Sequence, residues 1–283
     1  MDGPVGFVGL GMMGAPMAAN LHAKGTELIT LDAAGTVLEG MPAAQDAAEL
    51  AARCATLVLM LPDSPAVAQV MDAALPALRP GALVVDMGSS LPAETRRWGA
   101  ALAARGAAMV DAPVSGSVVK ARAGTLAIMA GGEAGALDRA EPLLRRMGAA
   151  IIRTGPLGSA HAMKALNNFV YAAGLLAVSE AALVAEREGL DLGVLAQVLN
   201  ASSGRNTASE TKLAQEITTR RYAGGFQLGL MRKDIETAAA IAAGTGTPAR
   251  LLQLLRAEWG GAVAARGPRA DNTEIHRHLE ATP

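Results

Sequence analysis

The sequence has few of the residues on which several classes of function depend. It holds one cysteine, Cys54, which excludes an internal disulfide and a cysteine-rich metal site. Because Cys54 precedes the apolar run 55–61, we expect it to be a core thiol and not a nucleophile. Aromatic residues make up 2% of the chain, and its formal net charge is −1. Neither value supports binding to nucleic acid or attraction to an anionic membrane.

Metal-binding and membrane signatures are also scarce. His276 and His278 lie in a polar tail without a cluster of carboxylates or cysteines, so we predict no metal site. Neither a G-x-S-x-G nor an H-E-x-x-H motif occurs. Because the sequence has no uninterrupted run of 18 apolar residues and no basic leader, we expect no membrane-spanning helix and no signal peptide. These features predict a cytoplasmic protein that binds neither membranes nor nucleic acid.

The segment 5–32 is the most informative stretch that is present. β-forming residues at 5–8 are followed by Gly9, Gly11 and Gly14 in a G-x-G-x-x-G run, and then by residues at helical spacing. In such a turn the first glycine permits the tight bend, the second lets the backbone approach a pyrophosphate, and the third lets the helix pack against the strand. Free N–H groups and the helix dipole then hold the anion. The pattern predicts a dinucleotide site formed by Gly9, Leu10, Gly11, Met12, Met13 and Gly14.

Asp32 indicates which dinucleotide is bound. It ends the second predicted strand, 18 residues after Gly14, where a carboxylate binds a ribose 2′-OH. The same carboxylate would repel a 2′-phosphate, and no lysine or arginine lies between Asp32 and Arg53 to hold one. We therefore predict NAD as the cofactor, with NADP less favoured. If the glycine turn bound nothing, Asp32 would be an ordinary residue of a strand-end turn.

Strands and helices alternate through the first half, which is typical of an α/β domain with a doubly wound, mostly parallel sheet. The further strands are predicted at 55–61, 82–86, 107–111, 125–130 and 149–153, and the further helices at 43–52, 66–78, 92–104 and 134–147. Ligands of such sheets bind at the carboxyl ends of the strands. Leu61-Pro62, Ser89-Ser90 and Ser115-Gly116 fall there, together with the glycine turn.

The pattern becomes wholly helical after Gly158. Ala160 to about Glu188 predicts one long, nearly all-apolar helix, which we expect to be buried between domains or subunits. Further helices are predicted at 192–199, 209–217, 228–243 and 249–265, and the polar tail after Gly267 is expected to be loosely held. We predict an NAD-binding domain at 1–157, an all-helical substrate and oligomerisation domain at 158–283, and a homodimer or homotetramer.

Lys164 is the best candidate for a catalytic residue. It lies on the first turns of the long helix, and Asn168 follows it by four residues on the same face. Lysine is rarely buried without a partner, and the two side chains offer a proton carrier and an amide that can orient a substrate hydroxyl. The alternative is a lysine that extends to solvent at the helix end. His161 lies close to Lys164, but we interpret it as a bystander.

Two other stretches carry polar groups. Ser115, Gly116 and Ser117 offer hydroxyls and backbone N–H groups after a strand, which suit a carboxylate. Lys233-Asp234 stands in an otherwise apolar helix, and a solvated face is the simplest interpretation of such a pair.

Four motifs, in the order GFVGLGMMGAPMAANL, DAPVSGS, GSAHAMKALNN and LMRKDI, resemble those of the β-hydroxyacid dehydrogenase family. The resemblance covers almost the whole chain. It implies a Rossmann domain and an all-helical domain with the active site between them, and the oxidation of a hydroxyl β to an acid group or the reverse reduction. It implies that Lys164 is the catalytic lysine and that Asn168 helps to hold the substrate. It further implies substrate contacts at Ser115 and Gly116 and cofactor or active-site contacts at Leu61, Pro62, Ser89 and Lys233.

The motifs depart from the family pattern where they bear on the substrate. Ser117 and Lys120 stand where glycines are usual, and Thr207 stands where the branch that oxidises 3-hydroxyisobutyrate often has tryptophan. Gly158-Ser159-Ala160 replaces the usual Gly-x-Gly. We therefore expect a more polar substrate, of the glycerate or threonate type or a sulfonate or phosphate analogue. Its acid group would be held by Ser115, Gly116, Ser117 and Lys120 or Arg122.

Two other functions stay open. An imine reductase shares this architecture, but that branch usually lacks a lysine at the position of Lys164. A nucleotide-binding regulatory protein with an inactive site would keep the glycine turn. In that case Lys164, Asn168 and Ser115 would have no role.

Overall fold

A computed structural model describes residues 3–281 of the chain. The residues divide into two compact units, one up to Lys164 and the other from Ala165 onward. The change of unit falls inside one continuous helix. The predicted division at 157/158 remains a prediction about the two functional domains.

The first unit is built on an eight-stranded sheet. The strands are β1 (Val5–Val8), β2 (Leu28–Leu31), β3 (Thr56–Leu59), β4 (Leu83–Asp86), β5 (Ala108–Asp111), β6 (Val114–Ser115), β7 (Leu126–Gly131) and β8 (Gly148–Gly155). They lie in the order β2-β1-β3-β4-β5-β7-β6, with β8 paired to β7. The helices are α1 (Gly14–Ala23), α2 (Ala47–Arg53), α3 (Ser64–Ala74), α4 (Pro92–Ala103), α5 (Val118–Ala123) and α6 (Ala134–Met147), with a 3₁₀ turn at Leu75–Ala77.

The sheet is buried on both faces. Because successive side chains of a strand point to opposite sides, each strand contributes to the apolar clusters on both faces. Val5 and Phe7 of β1 pack into one apolar cluster, and Val8 packs into another. β4 divides in the same way, with Val85 in the first cluster and Val84 in the second. Such strands are near-continuous apolar runs, which is why the sequence predicts them well. The predicted mostly parallel, doubly wound sheet is confirmed.

The region after β5 differs from the prediction. β7 runs antiparallel to β5, and the two-residue strand β6 pairs antiparallel to β7. Two residues are too few to show a period, so β6 was predicted as a loop. The six-residue helix α5 was also missed. It ends at Gly124, which has φ +66° and so adopts a left-handed conformation that glycine favours.

The second unit is all-helical, as predicted. Its helices are α7 (Ser159–Arg187), which begins in the first unit, α8 (Leu192–Ala201), α9 (Leu228–Gly244), α10 (Arg250–Arg266) and α11 (Ile275–Glu280), with a π-helix at Ser209–Ile217 and a 3₁₀ turn at Asn272–Glu274. The core of the unit contains Leu175 from α7, Leu228 from α9 and Trp259 from α10.

Helix α7 is long and apolar enough to cross a membrane by length and composition. The sequence analysis required 18 consecutive apolar residues and therefore did not identify this helix, because a few polar residues interrupt its apolar sequence. Core helices of other proteins meet the same criterion. Ala165, Ala172 and Leu175 of α7 pack into the core of the second unit, which accounts for the composition. That the protein binds no membrane remains a prediction.

The segment 268–281 is held by backbone hydrogen bonds and buried side chains, which corrects the expectation of a loose tail over these residues. The N–H of Leu228 donates to Ala270 O at 2.8 Å, and the N–H of Asn272 donates to Phe226 O at 2.7 Å. Ile275 and His276 are fully buried. A polar composition indicated exposure, but these backbone hydrogen bonds and two buried side chains fix the tail against the segment before α9.

Because His276 is buried, we expect the protein to lose stability in acid. Burial lowers the pKa of His276, although Glu186 and Glu280 raise it in part. The unfolded chain therefore takes up the proton more readily than the folded one. The stabilisation that comes from burying neutral His276 is fully present above the unfolded-state pKa of about 6.5. It is lost as the pH falls toward the lower pKa that His276 has in the folded protein. We expect the melting temperature of His276→Gln to fall less than that of the wild type between about pH 7.5 and 5.5. The exposed control His22→Gln should keep the wild-type slope, and an unchanged slope in His276→Gln would contradict the prediction.

Candidate active site

The glycine turn has two crowded positions and one open position. A Cβ at Gly9, where φ is +92°, would lie 2.4 Å from Met60 O, and a Cβ at Gly14 would lie 1.9 Å from Gly9 O. A Cβ at Gly11 would meet nothing within 4 Å. The fold therefore requires Gly9 and Gly14, whereas Gly11 leaves space beside the start of α1. Met13 at the N-cap makes no side-chain hydrogen bond to that helix. The N–H of Ala15 donates to Gly11 O at 3.1 Å and Pro16 has no N–H, so a pyrophosphate here would be held by the helix dipole and by the backbone of the turn before Ala15.

Asp32 lies beside this turn. Its Oδ1 accepts a hydrogen bond from the N–H of Leu10 at 2.8 Å, and its Oδ2 accepts from the N–H of Ala34 at 3.1 Å. Partial burial raises the pKa of Asp32, but hydrogen bonds from Leu10, Thr36 and Ala34 outweigh it and lower the pKa overall. The result is an ionised, partly exposed carboxylate held next to the turn. This arrangement fits a nicotinamide dinucleotide whose ribose hydroxyls approach Asp32.

The neighbouring strand ends lie at the same edge of the sheet. The N–H of Met60 donates to Val8 O, and the N–H of Met87 donates to Leu59 O, each at 2.8 Å. A Cβ at Gly88 would lie 2.4 Å from Leu61 O, so the segments that carry Leu61, Pro62 and Ser89 are in contact. Because the chain leaves β1 for β2 on one side and returns as β3 on the other, this edge is the switch point at which such sheets bind ligands.

The predicted acid-binding loop is exposed and has a cation beside it. Ser115 ends β6 opposite Ala127, while Gly116 and Ser117 are exposed. A Cβ at Gly116, where φ is +143°, would lie 3.1 Å from Lys120 Cδ. The aliphatic part of the Lys120 side chain therefore packs against Gly116, and the binding of an acid group by its ammonium stays a prediction.

The first turn of α7 is held by groups that the sequence prediction missed. The N–H groups of Gly158 and His161 each donate to Asp111 at 2.8 Å, and Nδ1 of His161 lies 2.8 Å from Thr95 Oγ1. His161 is buried and belongs to the contacts that hold this turn, whereas the interpretation of it as a bystander in the chemistry stays a prediction. Lys164 follows one turn later and is partly exposed. The signal that could have identified these contacts is that both β4 and β5 end in aspartate.

The second unit brings Asn168 and Lys233 together through Asp234. The amide Nδ2 of Asn168 donates to Asp234 Oδ2 at 2.5 Å, and Lys233 Nζ lies 3.3 Å from Asp234 Oδ1. Asp234 is 1% exposed, so the solvated-face interpretation of Lys233-Asp234 is wrong. The hydrogen bond to Asp234 orients the Asn168 amide so that Nδ2 of Asn168 faces the carboxylate. Oδ1 of Asn168 is left as an acceptor, and it accepts from Asn167 Nδ2 at 3.0 Å.

A cavity of mixed polar and apolar lining lies on the second unit and includes Asn167, the residue before Asn168. It has a volume of about 220 Å³ and is lined by Asn167, Val170, Tyr171, Gly174, Asn206 and Thr207. Burial raises the pKa of Tyr171 to about 12, so its hydroxyl keeps its proton. Thr207, where the related branch often has tryptophan, lines this cavity.

Other types of site find no support within residues 3–281. No group of three or more histidine, cysteine, aspartate or glutamate side chains there is placed to hold a metal ion. Cys54 is buried, and that burial raises the pKa of its thiol to about 11. The prediction of a core thiol is confirmed.

Comparison with protein families gives two adjoining matches. Residues 4–155 match the family described as the NAD binding domain of 6-phosphogluconate dehydrogenase. Residues 158–279 match the family described as the NAD-binding region of NADP-dependent 3-hydroxyisobutyrate dehydrogenase. Together the two matches span nearly the whole chain.

Individual relatives agree with these matches. An NAD-dependent L-serine dehydrogenase of Pseudomonas aeruginosa is 38% identical over 266 residues, which cover 88% of this chain and 89% of the relative. The solved structure of Mycobacterium tuberculosis 3-hydroxyisobutyrate dehydrogenase with L-serine has a TM-score of 0.92 and 32% identity, covering 99% of this chain and 100% of that one. An imine reductase from Myxococcus stipitatus with NAD+ has a TM-score of 0.67 and 17% identity, covering 99% of this chain and 100% of that one. The last likeness is one of fold alone.

Proposed function

Because the chain belongs to the β-hydroxyacid dehydrogenase family and is an NAD-dependent dehydrogenase that acts on the hydroxyl group of a hydroxyacid, we propose that its substrate is a small polar β-hydroxyacid and that Lys164 is its general acid–base. The observation that carries this proposal is the position of Lys164. It is a partly exposed lysine one helical turn from Asn168, in a chain whose first unit has a glycine turn and an ionised carboxylate suited to NAD.

The proposed chemistry divides between the cofactor and the chain. NAD, when bound, supplies the carbon that accepts the hydride. Lys164 takes the proton of the substrate hydroxyl in oxidation and returns it in reduction, a contribution of about 10²–10⁴ in rate. Asn168 is rigid enough to orient that hydroxyl because its amide is bonded to the buried Asp234. Lys233, which is paired with the same carboxylate, is proposed as a cofactor or active-site contact.

The substrate's acid group is proposed to bind at Ser115, Gly116 and Ser117. The hydroxyls and exposed backbone of this loop suit an oxyanion, and Lys120 above Gly116 adds a positive charge. Serine, glycerate, threonate and a hydroxysulfonate are therefore better candidates than 3-hydroxyisobutyrate, whose methyl group would gain little from these surroundings.

The experiment is a panel assay that follows NADH absorbance with each of these five acids, using NAD and NADP separately. We expect turnover of at least one polar acid with NAD, at a kcat/KM above that for 3-hydroxyisobutyrate. Preference for 3-hydroxyisobutyrate would contradict the polar substrate. Reduction of a cyclic imine with no hydroxyacid activity would favour the imine reductase alternative. NAD binding without turnover of either class would favour the inactive regulatory protein.

Asp32 is expected to set the preference for NAD over NADP. In Asp32→Asn the amide oxygen can still accept from the N–H of Leu10, which keeps the contact to the glycine turn, while the negative charge and the bond from the N–H of Ala34 are lost. We expect the ratio of kcat/KM for NAD to that for NADP to fall about tenfold, which corresponds to about 1.4 kcal/mol. Asp138→Asn, at an exposed carboxylate of α6, should leave the ratio unchanged. An unchanged ratio in Asp32→Asn would remove Asp32 from the cofactor site.

We also propose that the protein is a homodimer or homotetramer in the cytoplasm. The helices of the second unit expose several large apolar side chains, among them Val170, Val184, Val194, Val198, Leu251 and Leu254. Apolar surface of this kind is typical of subunit interfaces.

A further inference from the structure

Three ionisable side chains form a buried cluster at the carboxyl edge of the sheet. Asp86 ends β4, Asp111 ends β5, and His161 lies on the first turn of α7. Each is 1% exposed or less. His161 Nε2 lies 3.8 Å from Asp86 Oδ2, and His161 Nδ1 lies 3.9 Å from Asp111 Oδ2. We call these three residues the Asp–His cluster.

Asp111 holds the start of α7 through its backbone. Its two carboxylate oxygens accept from the N–H of Gly158 and the N–H of His161, each at 2.8 Å. Helix N-termini leave such N–H groups without partners inside the helix, and a carboxylate there is favoured by the helix dipole. A residue 47 positions earlier in the chain therefore caps the helix that carries Lys164.

His161 adds a side-chain contact on each of its ring nitrogens. Nδ1 is hydrogen-bonded to Thr95 Oγ1 at 2.8 Å. Nε2 is buried and has no hydrogen-bond partner among the described residues, and it lies 3.8 Å from Asp86 Oδ2. Each ring nitrogen therefore lies within 4 Å of a buried carboxylate oxygen, Nε2 of Asp86 and Nδ1 of Asp111. The imidazole thus connects Thr95 of α4 to Asp86 of β4.

Asp86 is itself fixed. Its Oδ1 accepts from the N–H of Gly88 at 3.0 Å, and its Oδ2 accepts from Ser90 Oγ at 2.7 Å. Both partners flank Ser89, a proposed cofactor contact. The Asp–His cluster therefore joins the loop after β4 to the first turn of α7 through buried contacts that solvent does not weaken.

We propose that His161 is a positioning residue that sets the location of Lys164. Lys164 follows His161 by three residues, which is about 4.5 Å along the helix axis. With Asp111 holding the backbone and His161 holding the side of the first turn, both the rotation and the tilt of α7 at Lys164 are fixed. A displacement of about 1 Å at a reacting group can cost about 10²-fold in rate.

The test compares His161→Leu with His161→Gln, and it rests on the proposed role of Lys164. Leucine keeps the apolar bulk but removes both polar contacts, whereas the glutamine amide can still donate toward Asp86. His22→Gln is the control, since His22 is exposed and distant in sequence from the cluster. The measurements are amide hydrogen exchange over 158–164 without substrate, NADH affinity, kcat, and the solvent deuterium isotope effect on kcat.

For His161→Leu we expect amide exchange over 158–164 to accelerate at least about tenfold, and kcat to fall about 10–100-fold at unchanged NADH affinity. The solvent isotope effect should rise because proton transfer through a misplaced Lys164 becomes slower. His161→Gln should recover most of kcat. A merely structural role would lower the active fraction and leave the isotope effect at the wild-type value, and that result would overturn the proposal.

Failure of this inference can be told apart from failure of the proposed function. If His161→Leu keeps the wild-type kcat and exchange rates while Lys164→Ala is inactive, the positioning role is wrong and the general acid–base stands. If Lys164→Ala retains turnover, the general acid–base is wrong and the positioning role falls with it. In that case the exchange rates over 158–164 still report whether His161 holds the helix.

Discussion

Lys164→Ala is expected to lower kcat by about 10²–10⁴-fold and to leave the NAD dissociation constant within about twofold of the wild type. The proposed role of Lys164 is to move one proton during hydride transfer, so its loss affects the transition state and not the binding of the dinucleotide. The measurements are steady-state kinetics with the best acid of the panel and isothermal titration with NAD. Turnover near the wild-type level would refute the assignment.

Two further variants separate chemistry from packing at this position. Lys164→Met keeps most of the side-chain volume without the amine and should be as inactive as Lys164→Ala. Added methylamine should restore part of the activity of Lys164→Ala, because the shortened side chain leaves room for a small base, and should not help Lys164→Met. Lys24→Ala, an exposed lysine of the first unit, is the control and should keep full activity. Equal rescue of both variants would indicate a solvent effect and not a site for the amine.

Elements with a strong local period were predictable from the sequence. Helix α6 has the same bounds, Ala134–Met147, in the prediction and in the structure, because its apolar residues recur at helical spacing. The strands β1 to β5 were found for a similar reason, since each is a short apolar run bounded by turn residues. Asp32 was placed correctly beside the turn because only one strand and one helix separate it from Gly14.

The groups that were missed depend on contacts between residues far apart in the chain. Asn168 and Asp234 are 66 residues apart, and within its own helix Asp234 looks like half of an exposed charge pair. The contacts of His161 could not be predicted for the same reason, since its neighbours Asp86 and Asp111 lie on two different strands far from it in the sequence. A window of ten or twenty residues contains the charge but not the partner. It therefore cannot tell a solvated charge from a buried one.

Gly11→Ala and Gly14→Ala are expected to fail in opposite ways, although both change the same glycine turn. A Cβ at Gly14 would lie 1.9 Å from the backbone oxygen of Gly9, and a backbone atom cannot rotate away as a side chain can. We expect Gly14→Ala to lose about 1–3 kcal/mol of folding free energy, the usual cost of forced overpacking. Its melting temperature without NAD should fall by several degrees, at about 2–4 °C for each kcal/mol.

A Cβ at Gly11 meets no protein atom within 4 Å, and the residue does not have a positive φ, so Gly11→Ala should melt within about one degree of the wild type. The added methyl group occupies the space through which a pyrophosphate approaches the backbone. We therefore expect its NAD dissociation constant to rise at least tenfold, or by about 1.4 kcal/mol. Differential scanning fluorimetry without NAD and titration with NAD measure the two effects separately. Wild-type NAD affinity in Gly11→Ala would show that the open position is not where the dinucleotide lies, because nothing in the protein itself opposes a methyl group there.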